Sequence, residues 1–218
     1  MTEPTFTLFG ERKLDSPFVL TAFVALKEKR VPFTFRALDL ARGEQREPDF
    51  VARSLTARVP TLSAGNFSLS ESVAIVEYLD ELLPAPAHPP LLPESREERA
   101  RARQVLGWLR SDLAALRNER PTSSIFFDRV STPLGDAARR DAEKLVGIAT
   151  TLLGGRAQLF TSWCIADLDL ALALMRLVAN GDSVPAPLRL HAETQWGRPS
   201  VAAWVARTRP ALREVWQE

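Results

Sequence analysis

The sequence predicts an α/β domain of βαβ-α-ββα order followed by an all-helical domain. Three observations predict it. Strand-like and helix-like periodicities alternate through residue 83, the stretch "PAPAHPPLLP" (84–93) interrupts them with five prolines, and only helical periodicity recurs beyond it. Proline has no amide hydrogen and is excluded from helix interiors and sheet ladders, so that density reads as a stiff extended linker. The expected domains are 1–83, a linker over 84–94, and 95–218. With 218 residues, 45% of them hydrophobic, the chain has apolar material for a substantial core.

The first domain is read element by element. "TFTLF" (5–9) alternates polar and apolar residues, as a strand does. Ser16 and Pro17 suit the cap and first turn of a helix, and Phe18, Val19, Ala22, Phe23 and Leu26 then recur at helical spacing. "FTFRALDL" (33–40) is a second strand, which the crossover helix makes parallel to the first. A short helix near 47–55 precedes "VPTLSA" and "FSLS", two strands joined across Gly65-Asn66. "SESVAIVEYLDELL" (70–83) is a third helix, with Val73, Val76, Leu79 and Leu83 on its apolar face.

Past the linker, Ser95 and Glu98 have capping-box spacing ahead of a long helix carrying Val105, Leu106, Trp108, Leu109, Leu113 and Leu116. Further helices are expected at about 134–153, 165–180 and 199–208. No internal repeat is present, and the second domain reads as a helical bundle.

Composition excludes several functions. A net charge of +1, with arginines interleaved among acids, gives no footprint for nucleic acid or an anionic membrane. The single cysteine, Cys164, rules out an intrachain disulfide, and two distant histidines give no metal-ligand spacing, so no metal is expected. No apolar run reaches membrane-spanning length, and "MTEPTFTLFG" lacks a signal pattern. The expectation is a cytoplasmic protein without nucleic acid or membrane partners.

One stretch resists the strand reading. "ARVPTL" (57–62) has strand-formers around Pro60, a residue kept out of central strands. Four local stretches in order place it in a wider pattern: "SPFVLTAFVALKEKRVPF" (16–33), "RVPTL" (58–62), "LSESVAIVEYLDE" (69–81) and "WCIADLDLALAL" (163–174). Together with the domain layout they resemble the cytosolic glutathione transferases of serine type, and "ARARQVLGWLRSDLAALRNERPT" (100–122) is similar to the bacterial YfcF-like branch.

The resemblance implies a thioredoxin-like first domain that binds glutathione as co-substrate, a helical domain that contributes the electrophile pocket, and a homodimer. It implies transfer of glutathione to small electrophiles, with reduction of organic hydroperoxides as a companion activity and a role in detoxification. A weakly active glutathione-binding protein and a glutathione-dependent isomerase are the alternatives. Members of the family activate the thiol with Tyr, Ser or Cys near the first strand and helix. Tyr78 lies in the third helix and Cys164 in the second domain, which leaves Ser16. Read from the residues alone, Ser16 is a helix cap. With the resemblance it becomes the donor to a thiolate, aided by the positive end of its helix.

Pro60 is implied to be cis, leaving the Val59 N–H and C=O for the cysteinyl backbone of glutathione. Glu71 and Ser72 are implied to hold the γ-glutamyl end, although Ser-Glu at a helix start is also ordinary capping. For the glycyl carboxylate Arg58 ranks ahead of Arg42, Gln45 and Arg46. Trp108, Arg110 and Ser111 are the electrophile-pocket candidates, with Trp108 equally suited to plain core. Asp112 is weighed between reaching a neighbouring subunit's ligand and plain surface charge. Cys164 and Asp167 have N-cap and N3 spacing and read as a structural helix-start motif, with a redox thiol as the rival reading.

Overall fold

The computed structural model describes residues 4–207 and 215–217. Its elements run β1 (Phe6–Glu11), α1 (Pro17–Lys29), β2 (Phe33–Leu38), a 3-10 turn (Glu44–Arg46), α2 (Pro48–Val51), β3 (Thr61–Ala64), β4 (Phe67–Ser70) and α3 (Ser72–Leu82). Then follow α4 (Arg96–Ser111), α5 (Ala114–Glu119), α6 (Ser123–Phe126), α7 (Asp136–Leu153), α8 (Ile165–Val178), α9 (Ala186–Trp196), α10 (Pro199–Val205) and β5 (Val215–Gln217). Two compact units result. Met1–Leu91 with Ala203–Glu218 forms one and Leu92–Ala202 the other, so the division falls inside the proline-rich segment and again inside α10.

In the first unit the strands form one sheet of order β4-β3-β1-β2-β5. β1 and β2 are parallel, as a helical crossover requires, and the remaining pairs are antiparallel. Phe6 and Leu8 of β1, Phe33 and Phe35 of β2, and Leu62 of β3 are buried, as are Val19, Phe23 and Leu26 of α1 and Ile75, Val76 and Leu79 of α3, and the Phe23 and Phe33 rings meet edge-on at 5.5 Å. Gly10 is needed where α1 lies on β1. A Cβ there would sit 2.4 Å from the Phe35 ring and 2.7 Å from Val19.

An ion pair is buried in this unit. Lys29 Nζ donates to Asp80 Oδ1 and to the Leu83 carbonyl, each at 2.8 Å, and Asp80 Oδ1 also accepts from the Leu91 N–H at 2.7 Å. The pair joins the C-terminal ends of α1 and α3 to the proline-rich segment. That segment is not the extended linker expected. It turns over residues 85–87, His88 N–H donates to Pro84 O at 3.1 Å, and Leu91 and Leu92 are buried. The Asp80 carboxylate on the Leu91 N–H and the burial of both leucines accompany that path.

The C-terminal segment departs further from expectation. β5 pairs antiparallel with β2, from Thr34↔Gln217 to Arg36↔Val215, so residues 95–218 are not all helical. Trp204 packs on Phe23 at 5.1 Å and Phe35 at 6.0 Å and is wholly buried. The helix expected at 199–208 spans Pro199–Val205, and residue 208 lies outside the described residues.

In the second unit α8 is buried along nearly its whole length and forms the centre. The long helix expected through Leu116 stops at Ser111. Leu113 takes a left-handed φ of 61°, and Leu116 belongs to α5. Half of the expected capping box forms. Ser95 Oγ accepts from the Glu98 N–H at 3.4 Å, but the Glu98 carboxylate turns to the Thr161 hydroxyl at 2.9 Å. Arg120, inside the "NERPT" stretch, is buried and forks onto Asp182 through Nε and a terminal nitrogen at 2.7 and 2.9 Å. Among the described residues no helix is long and apolar enough to cross a membrane.

Candidate active site

Three strand ends meet at one edge of the sheet. Thr61, the first residue of β3, pairs with Phe9 on one side and Ser70 on the other. The residues after β1, before β3 and after β4 therefore share that edge. They are the 12–16 loop, Arg58–Pro60, and Glu71 with Ser72.

The loop after β1 is pinned at both ends. Arg12 N–H donates to Leu38 O at 2.9 Å, and Ser16 N–H donates to Glu11 Oε1 at 2.7 Å. Leu14 is buried with a left-handed φ of 54°. Ser16 caps α1, and its Oγ accepts from the Val19 N–H at 3.3 Å. A hydroxyl has one proton and two lone pairs. Val19 engages a lone pair, and no acceptor among the described residues takes the proton. Ser16 therefore keeps a donor to offer at the N-terminal end of α1, where the helix field favours an anion.

Ser16 opens on a cavity of about 530 Å³ that Glu11, Asp15, Gln45, Arg46, Arg58 and Val59 also line. Val59 packs its side chain on the cluster of Phe9, Leu38 and Phe50, in which the Phe9 and Phe50 rings meet edge-on at 5.6 Å. Its peptide bond to Pro60 is cis, and its N–H finds no partner among the described residues. Arg58 is fixed by its backbone. Its N–H donates to Ser54 Oγ at 3.2 Å, and its carbonyl accepts from Ser54 and Thr61 hydroxyls at 3.1 and 3.0 Å. That leaves the exposed guanidinium beside the cavity.

The other expected residues divide. Gln45 carries a buried side-chain oxygen without a partner. Arg42 lies outside the cavity lining and faces solvent beside Asp39 at 3.6 Å. Glu71 and Ser72 are at the same sheet edge but not in the cavity wall. Glu71 takes φ 74° and ψ 116°, a conformation costing a non-glycine residue about 1–3 kcal/mol. Ser72 follows it as the buried first residue of α3.

Sequence reasoning missed Glu11. It ends β1 and is 5% exposed. Its Oε1 holds Ser16, while its Oε2 is buried without a partner. Burial, with the nearby Asp15 charge adding to it, pushes the carboxyl up to about 7, against the pull of the Ser16 N–H and, more weakly, of the Glu11 and Asp15 N–H groups. The signal in the sequence is a lone acid closing the apolar run "FTLFGE", five residues before Ser16.

The three electrophile-pocket candidates have separate surroundings in the second unit. Trp108 lines a cavity with Arg101, Gln104, Val105, Ile148 and Leu152, and its Nε1 donates to Asp112 at 3.0 Å. Arg110 is paired with Asp169 at 2.5 Å. Ser111 is exposed and donates to Gly107 O at 3.0 Å. Asp112 also pairs with Lys144 of α7.

At the start of α8, Asp167 accepts from the Cys164 N–H at 3.0 Å and from the Leu159 N–H at 2.7 Å. Burial pushes both the Cys164 thiol and the Asp167 carboxyl up. A buried thiol shifted that way is a poor nucleophile.

Two family models match the chain. The Glutathione S-transferase N-terminal domain covers residues 15–82, and the Glutathione S-transferase C-terminal domain covers 95–209. A solved structure of a glutathione transferase homolog from Burkholderia gl BGR1, with bound glutathione, is 43% identical, with a TM-score of 0.78 over 95% of this chain and 100% of that one. Glutathione S-transferase theta-1 of Bos taurus is 29% identical over 88% of this chain and 78% of its own length. Maleylacetoacetate isomerase maiA of Aspergillus fumigatus is 35% identical over 44% of this chain and 45% of its own. The chain spans under half the length of several curated relatives that it matches. With a model matched on each side of the proline-rich segment, the chain belongs to the glutathione S-transferase family.

Proposed function

We propose that the chain is a glutathione transferase of serine type in which the Ser16 hydroxyl donates a hydrogen bond to the glutathione thiolate. The carrying observation is the Ser16 hydroxyl, with its proton uncommitted, at a helix N-terminus on a cavity shared with Val59. A free thiol titrates near 8.5 and is mostly protonated at neutral pH. A hydroxyl donor and a helix N-terminus both favour the thiolate.

On this reading the cysteinyl backbone pairs with the unpartnered Val59 amide, strand-like, ahead of Pro60. The γ-glutamyl end meets Ser72 and Glu71, and Arg58 with Gln45 and Arg46 takes the glycyl carboxylate. The second substrate is a small electrophile or an organic hydroperoxide, turned over by a cytoplasmic homodimer acting in detoxification, as the resemblance to the YfcF-like branch implies. Trp108, Arg110 and Ser111 stay as candidates for the electrophile side.

Replacing Ser16 by Ala tests the reading. Loss of one donor to a developing anion lowers kcat by about 10²-fold, and the thiolate absorbance of bound glutathione moves to higher pH. Unchanged binding, rate and thiolate titration in Ser16→Ala remove Ser16 from the role. The isomerase relative favours a second reading, glutathione-dependent cis–trans isomerisation. Turnover of maleylacetoacetate exceeding that of every electrophile tested selects it, and tight glutathione binding with no turnover selects a binding protein.

A further inference from the structure

Glu11 has a second carboxyl oxygen at this site that its hold on Ser16 does not explain. A carboxyl that is 5% exposed commonly has partners for both oxygens, yet only Oε1 is engaged, by the Ser16 N–H at 2.7 Å. Oε2 is buried and bare on a residue that lines the same cavity as Ser16. The Glu11 carboxyl thus stands one residue's width from the hydroxyl read above as the thiolate's donor.

Its charged surroundings are few. Asp15 comes from the β1–α1 loop, Arg46 from the 3-10 turn and Arg58 from the segment before β3. Arg12 follows it at the start of the loop and has other contacts. Asp39, after β2, is turned into its own loop, accepting from the Ala41 and Arg42 N–H groups at 3.1 and 3.2 Å. Glu44 is likewise spent on the Asp39 N–H at 2.7 Å.

A carboxylate on a residue lining the cavity repels a thiolate formed in it, so the two groups titrate as a pair. We propose that Glu11 is a positioning residue with a proton function: it holds Ser16 through the backbone and gains a proton as the glutathione thiol loses one, so that the cavity carries one negative charge instead of two. In the step the thiol's S–H bond breaks, an O–H bond forms on Glu11, and the charge moves from carboxylate to sulfur with no net change. The inference rests on the glutathione reading. Its support is a carboxyl with a buried, unpartnered Oε2, held to Ser16 through Oε1 on a residue that lines the same cavity, and its upward shift agrees.

The test counts protons. Glutathione is titrated into the protein at pH about 7.5 in buffers of different ionisation heat, and thiolate is measured by its ultraviolet absorbance. Wild type is expected to release less than about half as many protons as it forms thiolates, the remainder being held on Glu11. In Glu11→Gln, which keeps the acceptor for Ser16, release rises at least about twofold and matches the thiolate formed. The broad two-step thiolate titration of wild type becomes a single step. S-methylglutathione, which has no thiol to ionise, shows no such difference between the two proteins.

Proton release equal to thiolate formation in wild type overturns the proposal while leaving the Ser16 reading standing, and that comparison needs no variant. A deficit that persists in Glu11→Gln assigns the proton elsewhere and also overturns it. Failure of wild type to take up glutathione overturns both.

Discussion

At the scale of single residues, Ser16 and Glu11 are one unit. The Ser16 N–H donates to Glu11, and its hydroxyl is oriented by the Val19 N–H. The carboxyl carries a cost to stability. Its native value near 7 lies above the unfolded value of about 4.5, so the native state holds a proton that the unfolded state has given up between those limits. Stability from this group is fully present below pH ~4.5, falls as pH rises towards 7, and is level above. A gap of that size is on the order of 3 kcal/mol. Glu11→Gln is therefore expected to raise the thermal midpoint at pH 8 and to leave it nearly unchanged at pH 4.5. Equal shifts at both values contradict the buried carboxyl described above.

Residue-level legibility in the sequence followed from local rules. Ser16 before Pro17 reads as a cap because both preferences are short-range, and the structure has that cap. Glu11 was not legible. Its burial depends on the packing of the 12–16 loop and of β2 beside it, and a lone Glu at a strand end ordinarily reads as exposed.

At the scale of elements, periodicity found β1, α1, β2 and α3 because each carries enough apolar spacing to define a face. The β3–β4 pair followed from Gly65-Asn66, and the short helix expected near 47–55 covers only Pro48–Val51. It ran α4 too far. Leu113 and Leu116 keep helical spacing, but Asp112 Oδ1 accepts from the Leu113 N–H at 2.8 Å, and the helix ends there. The short α5 and α6 and the weakly amphipathic α9 gave no such signal. Lys29 was equally hidden, since a lysine near a helix end reads as solvated.

Its pair with Asp80 yields an element-scale prediction. Lys29→Met leaves Asp80 buried without its cation and is expected to cost about 3–5 kcal/mol in urea unfolding. Adding Asp80→Leu recovers a substantial part of that loss. A single-variant cost under about 1 kcal/mol shows instead that α1 and α3 do not depend on the pair.

At the scale of the whole molecule, the chain's end returns to the first unit. β5 extends the sheet beside β2, and Trp204 completes the core around Phe23 and Phe35. Neither feature was legible, because the residues they meet lie some 170 to 180 positions away in sequence and periodicity carries no long-range pairing. The order βαβ-α-ββα was legible, and so was the family, because its motifs are short stretches in a fixed order.

The site depends on that order. The register of Thr61 with Phe9 and Ser70 brings Ser16, Val59 and Glu71 to one sheet edge from three separate stretches of chain. A crystal structure of the protein with glutathione tests this directly. The account predicts the sulfur within hydrogen-bond reach of Ser16 Oγ, the cysteinyl backbone paired with the Val59 amide, and the γ-glutamyl end at Ser72. Glutathione seated elsewhere, or its sulfur held by a group other than Ser16, would contradict it.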